Sequence, residues 1–180
     1  MKIIEFDRIS STQDEVEKYI DSGEEVVVRA CEQTCGKGTK GRSFLSDRGG
    51  LYFSHLKFYE NFPAKNAHRI IENYSVAVAV ALERFGIEAR IKWPNDILVD
   101  KKKICGILTR SFIEKEKVLF SVTGIGINVN NFIAAEIADV AVSMKQKLGY
   151  NVVIDDFFKT VVELFSVDHD REIYKKLSCV

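Results

Sequence analysis

A run of chemistry-bearing residues lies near the middle of the chain, at positions 92–106, and reads Lys-Trp-Pro-Asn-Asp-Ile-Leu-Val-Asp-Lys-Lys-Lys-Ile-Cys-Gly. Pro94 cannot donate a hydrogen bond to a sheet and bends the chain, and Asn95 and Asp96 follow at the bend. A carboxylate a few residues from the lysines at 101–103 suits an anionic substrate together with a divalent metal. A solvated hairpin with a basic tip is the alternative interpretation of the lysines.

A glycine-rich loop at positions 32–42 forms a second cluster. Its glycines, Gly36, Gly38 and Gly41, match G-x-G-x-x-G, but the loop leads to another strand rather than to a helix, which excludes a dinucleotide fingerprint. Glycines let backbone N–H groups approach an anion closely, although a mobile surface loop explains the same composition. The loop carries three cations that would add charge at an anion site: Lys37, Lys40 and Arg42.

Two polar features flank these clusters. Gln33 lies on the strand that enters the glycine loop, where its amide offers a donor and an acceptor to a neutral polar ligand. Further along, positions 124–131 read Gly-Ile-Gly-Ile-Asn-Val-Asn-Asn. Asn128 and Asn130 share a side of an extended chain and could read the edge of an adenine, but an Asn-rich turn is an equally good explanation.

The elements that must position these residues follow an α+β pattern. Two overlapping capping boxes, Ser11 with Asp14 and Thr12 with Glu15, predict the start of a short helix. Strand patterns occur at 26–31, 51–58, 97–99, 104–112 and 118–127, and helical spacing occurs at 65–85, 134–147 and 155–177. Short polar turns join the last three strands, which predicts antiparallel hairpins. The predicted fold is a mixed, largely antiparallel sheet with helices mainly on one face.

Composition limits the possible functions. The 180 residues fit one domain, and 46% hydrophobic and 29% charged residues are typical of a globular protein. A net charge of zero gives no reason to expect nucleic acid or a membrane surface as partner. The chain has no apolar run of membrane-spanning length, and its 4 cysteines lack metal-ligand spacing. These features predict a cytoplasmic protein with free thiols.

In this order, the segments resemble the catalytic domain of biotin protein ligases, also called biotin–[acetyl-CoA-carboxylase] ligases. The resemblance extends over about residues 5–145. The Lys-Trp-Pro-Asn-Asp block is highly specific, and lipoate ligases share the fold but not that block in that order. The similarity implies a class II synthetase-like biotin/lipoate ligase fold for residues 1–180. The other matching segments are Ser11-Thr12, 33–42 with Ser46, 49–51, Lys103 with Gly106, and 124–128.

The resemblance implies two chemical steps. The carboxylate of biotin attacks the α-phosphate of Mg-ATP, giving biotinyl-5′-AMP and pyrophosphate, and a lysine of a biotin carboxyl carrier protein then attacks the mixed anhydride. Neither step needs a nucleophile from the enzyme, so catalysis would depend on positioning and on neutralisation of charge. The expected small molecules are therefore biotin, ATP and Mg²⁺.

The resemblance also implies roles for individual residues. Three residues would be catalytic. Lys103 would bridge the biotin carboxylate and the α-phosphate, and Arg42 would contact the ATP phosphates. Asp96 would support the metal–phosphate end or orient the carrier lysine. The residues implied for biotin are Ser11, Thr12, Gln33, Gly36, Lys37, Gly38, Lys103 and Gly106. Those implied for ATP are Lys37, Thr39, Lys40, Arg42, Lys92, Trp93, Asn95 and Asn128, with Asp96 as the Mg²⁺ ligand.

Several positions depart from the family pattern. The family loop usually reads Gly-Arg-Gly-Arg-x-Gly-Arg, whereas Lys37 and Thr39 stand in place of its first two arginines. Phe44 replaces a usual Trp, and Gln13 a usual Asn. We expect neither the small C-terminal β domain common in the family nor an N-terminal DNA-binding domain. The family often forms homodimers through a sheet edge, and the sequence does not locate such an edge.

Two other functions remain open at this point. The first is a lipoate- or octanoate-type acyl ligase of the same fold, which apolar residues in place of the ureido-binding polar set would favour. The second is a non-catalytic biotin-binding regulatory module, which Thr39 and the missing C-terminal domain favour. Gln33 and Ser11 argue against the former, and the presence of Lys103, Asp96 and Arg42 argues against the latter.

Overall fold

Seven strands form one sheet in the computed structural model, which describes residues 1–179 with every side chain among them except that of Lys40. Their order in the sheet is β1-β2-β3-β7-β6-β5-β4. The β1–β2 pair is parallel and all the other pairs are antiparallel. The strands are β1 Lys2–Ile9, β2 Val26–Gln33, β3 Leu51–Pro63, β4 Arg90–Lys92, β5 Asp96–Val99, β6 Lys102–Glu114 and β7 Lys117–Ile127.

The helices lie unequally on the two faces of this sheet. The large core packs α2, α4 and α5 against one face, and a smaller cluster packs α1 against the other. The predicted α+β fold, with a largely antiparallel sheet and helices mainly on one face, is thus confirmed. Within residues 1–179, no helix is long and apolar enough to cross a membrane. The helices are α1 Thr12–Glu17, α2 His68–Arg84, α3 Met144–Leu148, α4 Ile154–Phe165 and α5 Arg171–Leu177.

The longest helix, α2, shows how the apolar pattern produces the core. Its side chains at Ile70, Tyr74, Ala77 and Ala81 are buried at helical spacing, as the sequence predicts. Gly86 follows the helix with a φ of +82°, a left-handed conformation that costs glycine nothing and ends the helix. The sheet face beneath α2 supplies the other half of the core.

Three parts of the fold differ from the sequence-based expectation, and one is the helical segment expected at 155–177, which is divided into α4 and α5. Strand β1 was not predicted, because as an edge strand it is mostly exposed and lacks a clear apolar run. The single helix expected at 134–147 is instead the 3₁₀ turn Ala135–Ile137 and the short α3. Between them the chain pairs with β6: the N–H of Lys103 donates to Val140 O at 2.8 Å, and the N–H of Val142 donates to Lys103 O at 3.0 Å. These bonds to the sheet override the local helical propensity.

A chain of polar contacts links Glu25, just before β2, with β3 and α2 on the helical face. The fully buried His55 places Nε2 2.8 Å from Glu25 Oε1 and Nδ1 2.6 Å from the hydroxyl of Tyr74. Because a carboxylate only accepts, Nε2 carries the hydrogen and Nδ1 accepts from Tyr74. Burial lowers the pKa of His55 below its ordinary value, although the Glu25 carboxylate acts in the opposite direction. His55 is therefore a neutral, structural histidine.

Candidate active site

A cavity of about 40 Å³ opens on the face of the sheet that carries α1. The start of α1, the end of β2, the glycine loop and the strands β6 and β7 meet around it. Its lining includes Ser11, Thr12, Gln33, Lys37, Gly38, Thr39, Asn95, Lys103 and Gly106, all singled out by the sequence, together with Gln13, Phe44, Ser54, Ile107, Leu108, Gly124, Ile125 and Gly126.

One end of the cavity is a network of neutral hydrogen bonds. Gln33 Oε1 accepts from the backbone N–H of Thr12 at 2.8 Å and from its hydroxyl at 3.0 Å. The Thr12 hydroxyl also lies 2.8 Å from Ser54 Oγ, and Gln33 Nε2 donates to Ser46 Oγ at 2.9 Å. These bonds fix the orientation of the Gln33 amide and leave it one N–H to offer to a ligand.

The N-terminus of α1 places its polar residues beside this network. Ser11 caps the helix by accepting from the backbone N–H of Asp14, as the sequence predicts. The two predicted capping boxes are otherwise wrong, because Thr12 is already helical and its hydroxyl belongs to the network, while the Asp14 carboxylate pairs with Lys37. Gln13 is buried at the cavity wall and donates to Leu108 O at 3.1 Å.

The other end of the cavity holds two cations, each paired with a carboxylate. Lys103 Nζ lies 2.6 Å from Asp96 Oδ1, with about a third of each side chain exposed. Lys37 on the glycine loop forms an ion pair with Asp14 on α1, and both side chains are close to half exposed. Such partly exposed pairs are weak, so an anionic ligand can exchange for either carboxylate.

Lys103 is not at a hairpin tip, which corrects the prediction from the lysine run. The tip is the two-residue turn Asp100-Lys101, whose φ angles of +49° and +65° match the twist of the flanking strands. Lys103 lies within β6, two positions beyond the turn, and a strand position holds its side chain more rigidly than a loop could.

A pair of glycines makes the floor of the cavity. Gly106 on β6 and Gly126 on β7 are register partners, and the ring of Phe44 lies over both. A Cβ at Gly126 would stand 2.5 Å from the Phe44 ring, and one at Gly106 would stand 3.0 Å from Lys103 Nζ. The space that the glycines leave free is thus filled by Phe44 and Lys103, which is why the cavity is small.

Other predicted residues lie away from the cavity wall. Gly36 packs against the loop, where an added Cβ would meet Phe44 O at 2.4 Å. Asn128 is buried and accepts from Asn131 Nδ2 at 3.1 Å. Asn95 does reach the wall, and its side chain donates to Ile107 O at 3.0 Å. Arg42, Lys92 and Trp93 are exposed outside the cavity, and the side chain of Lys40 is outside what the structure describes.

Sequence reasoning missed Ser54 altogether, and it named Ser46 and Phe44 only as positions of the family pattern, with no role in the site. Ser54 is a lone hydroxyl in the apolar strand β3, and that interruption is the signal that could have identified it. Ser46 and Phe44 follow the glycine loop, and only the folded loop brings them onto the network and the glycine pair.

The site has limited means for covalent or metal chemistry. The described residues include no group of three or more His, Cys, Asp or Glu side chains that could hold a metal ion. Cys105 lies on β6 near Lys103, but burial raises the pKa of its thiol well above the usual range, so it is not a ready nucleophile. The arrangement can bind and orient a ligand with a neutral polar end and an anionic end.

The fold and the cavity together define an α+β domain with a ligand site on the face of the sheet that carries α1. The chain belongs to the biotin/lipoate A/B protein ligase family, whose model matches residues 5–128. The family membership expected from the sequence is confirmed.

Individual relatives are similar over most of the chain. The bifunctional ligase/repressor BirA of Bacillus subtilis (strain 168) is 35% identical over 156 residues, which are 83% of this chain and 48% of that protein. A biotin protein ligase from Aquifex aeolicus in complex with biotin and ATP is 30% identical, with a TM-score of 0.78 over 97% of this chain and 71% of that chain. The Leishmania major biotin protein ligase in complex with biotinyl-5-AMP shares the fold. Its TM-score is 0.79 at 22% identity, over 98% of this chain and 79% of that chain. The chain spans about half the length of the Bacillus relative.

Proposed function

We propose that this protein is an ATP-dependent ligase that activates biotin as biotinyl-5′-AMP and transfers the biotinyl group to a lysine of a biotin carboxyl carrier protein. The observation that carries the proposal is the two-ended cavity, with a neutral hydrogen-bonding network at one end and the cations Lys37 and Lys103 at the other. Biotin has the matching chemistry, with a neutral ureido ring at one end and a carboxylate at the other.

The neutral end suits the ureido ring. The remaining N–H of Gln33 can donate to the ureido oxygen. The hydroxyls of Ser11 and Thr12 can exchange their present hydrogen bonds for hydrogen bonds to the ureido ring. A site whose amide is already oriented loses little entropy when the ligand binds. An octanoyl or lipoyl chain would leave the remaining N–H of Gln33 unpaired, and a buried unpaired group costs about 1–3 kcal/mol.

The cationic end suits the reacting groups. We propose that the carboxylate of biotin displaces Asp14 from Lys37, and that Lys103 leaves Asp96 to bridge the carboxylate and the α-phosphate. Charge builds on the phosphoryl oxygens as the new bond forms, so a positioned ammonium stabilises the transition state more than the ground state.

Asp96 has a place in the same scheme. Once Lys103 turns to the substrates, the Asp96 carboxylate is free to face the metal–phosphate end or the incoming carrier lysine. Mg²⁺ commonly binds through substrate phosphates, waters and one or two carboxylates, so the single carboxylate of Asp96 fits that use. When bound, Mg²⁺ would supply neutralisation of phosphate charge.

We propose that the nucleotide lies outside the present cavity and meets the exposed Arg42, Lys92 and Trp93, with Asn95 at the cavity wall. A ligand pocket usually needs roughly 300 Å³ or more, so the cavity of about 40 Å³ must widen. We infer that Phe44 leaves the glycine pair and that the glycine loop closes over biotin and ATP. Thr39, Lys40 and Asn128 would then meet the adenylate.

The test is direct. The purified chain is incubated with biotin and Mg-ATP, and pyrophosphate and biotinyl-adenylate are measured; octanoate and lipoate replace biotin in matched reactions. A biotin carboxyl carrier domain is then added, and biotin on its lysine is detected by mass spectrometry. Release of pyrophosphate with octanoate or lipoate instead of biotin would show an acyl ligase of the other kind. Biotin binding without pyrophosphate would show a regulatory module.

A further inference from the structure

A second cavity, of about 280 Å³, lies on the helical face of the sheet. It shares no lining residue with the active-site cavity. On β3 the two faces are one residue apart, since Ser54 contacts Thr12 at the active site and His55 contacts Tyr74 on the helical side. Residues that line this second cavity include Lys57, Tyr59, Phe62, Arg69, Tyr74 and Phe165.

Aromatic rings form the walls, and internal contacts hold them in place. Tyr74 and Phe165 pack with ring centroids 5.3 Å apart, and Tyr59 and Phe62 with centroids 5.0 Å apart. The hydroxyl of Tyr74 is held by His55, and that of Tyr59 lies 3.1 Å from Ser121 Oγ. Tyr59 and Phe62 are only partly buried, so their rings can contact whatever enters the cavity, whereas Tyr74 and Phe165 are almost fully buried at its wall.

The rim carries two cations and one exposed carboxylate. Lys57 Nζ stands 5.8 Å from the centroid of the Tyr59 ring. Arg69 is partly exposed, and its nearest carboxylate, Asp168, is 85% exposed and 3.7 Å away. That contact is long for a hydrogen-bonded pair, so the guanidinium has donors to offer to a ligand.

The backbone at the rim is fixed as well. The side chain of Asn73 donates to Phe165 O at 3.2 Å and accepts from the backbone N–H of His169 at 2.8 Å. His169 Nε2 in turn lies 2.8 Å from Leu164 O. The segment after α4 is thereby tied to α2, and the position of Phe165 follows from it.

We propose that this cavity binds a small organic anion with a flat apolar body, such as an aromatic carboxylate. The aromatic walls accept the flat body, and Arg69 and Lys57 accept the carboxylate. The cavity volume is close to the lower end of the range for small-molecule sites, roughly 300 Å³. The ligase reaction uses none of these residues, so this proposal goes beyond the proposed function and stands or falls separately from it.

The test is an amide-resolved NMR titration of the intact chain with sodium 2-naphthoate, and with 2-naphthamide as the neutral isostere. We expect saturable shifts around Arg69 and at 165–168, with naphthoate binding about fivefold tighter than naphthamide, the ratio to which about 1 kcal/mol corresponds. The Lys57→Gln/Arg69→Gln double variant should lose this preference. Lys159→Gln, on an exposed position of α4, removes a charge elsewhere and should keep it.

Three titration results would overturn the proposal, and a fourth concerns self-association. They are equal affinity for the two probes, shifts confined to active-site residues such as Gly124, and no saturable shift at millimolar naphthoate. Concentration-dependent dimerisation that the double variant abolishes would also overturn it, because a second copy of the chain would then occupy the groove. The amide spectrum of each variant shows directly whether it is folded.

Discussion

The side chains at the neutral end of the active-site cavity are hydrogen-bonded to one another, whereas the side chains proposed for the nucleotide are mostly exposed. Thr12, Gln33 and Ser54 are joined by bonds of 2.8 to 3.0 Å. Arg42, Lys92 and Trp93 lie at the surface, and 74% of the Trp93 side chain is accessible to solvent. The side chains proposed to bind biotin are thus already oriented, whereas those proposed to bind the nucleotide still have to be ordered.

This difference indicates an order of binding. A preorganised site recognises its ligand with little loss of entropy, and a loop that orders only with ligand subtracts its ordering cost from the affinity. Biotin should therefore bind without ATP, and its carboxylate should help to draw Lys37 and the glycine loop inward. ATP should bind better to the biotin-loaded protein than to the free protein.

The largest expected effect comes from Lys103, at the cationic end of the cavity. Lys103→Ala should leave biotin affinity within a few fold but slow adenylation by about 100-fold, because removing such a group costs on the order of 3 kcal/mol in the transition state. Single-turnover pyrophosphate release measures the rate. Lys101→Ala, in the turn of the same hairpin, is the matched control and should be nearly silent. A rate within about threefold of wild type would reduce Lys103 to a solvated strand residue.

Disrupting the hydrogen bonds at the neutral end should weaken the binding of biotin and not that of ATP. Gln33→Ala removes the amide and leaves the donors of Thr12 unpaired, which should weaken biotin binding by about 1–3 kcal/mol, or about 5- to 150-fold. Affinity for ATP without biotin should barely change, and calorimetry measures both. Loss of ATP binding with biotin binding intact would reverse our placement of the two ligands.

Changing Thr39 sharpens the comparison at the loop. Where the family usually has an arginine, Thr39 offers one hydrogen bond and no charge, so we expect the adenylate to escape and label nearby lysines. Thr39→Arg should slow adenylate dissociation several-fold and reduce labelling of proteins other than the carrier. Thr39→Lys tests whether charge without the planar guanidinium is enough. Equal dissociation rates for wild type and Thr39→Arg, measured by displacement, would refute the idea.

The smallest expected effect concerns the ion pair that holds Lys37. Asp14→Asn frees that cation, and because exposed pairs contribute about 0.2–1 kcal/mol, biotin affinity should rise by no more than about fivefold. Asp21→Asn, at an exposed position beyond α1, controls for the loss of a negative charge. A fall in biotin affinity would mean that Asp14 positions Lys37 for the ligand instead of competing with it.

The sequence predicted those parts of the fold whose local signals agree with their tertiary setting. The hairpins of β5, β6 and β7 and the helix α2 have clear periodicity and turn chemistry, and the structure contains them. The helix expected at 134–147 failed because bonds to Lys103 in β6 hold that segment extended. The edge strand β1 was missed because it buries too little to leave a periodic pattern.

The candidate site divides in a similar way. Gln33, Lys37 and Lys103 are polar residues with distinctive neighbours in the sequence, and the structure brings all three to one cavity. Ser54 and Phe44 could not be found in the same way, since their part in the site depends on register between strands and on how the loop folds back. Asn128 has the motif but lies behind the wall, bonded to Asn131.

The neutral His55 makes the stability of the fold depend on protons. Burial holds the pKa of His55 below the ordinary 6.5, and the positive charges of Lys57 and the N-terminal ammonium lower it further, while the Glu25 carboxylate raises it. Tyr74 donates to the ring nitrogen that would have to be protonated. An unfolded chain therefore binds a proton that the folded chain resists, so His55 contributes stability above the unfolded pKa that is lost as the pH falls through the lower folded one. The free energy of unfolding should therefore drop as the pH falls below the ordinary pKa of 6.5, and His55→Gln should flatten that slope. Acid would thus destabilise the packing of the helices on the sheet, at a residue that is adjacent on β3 to the active-site network.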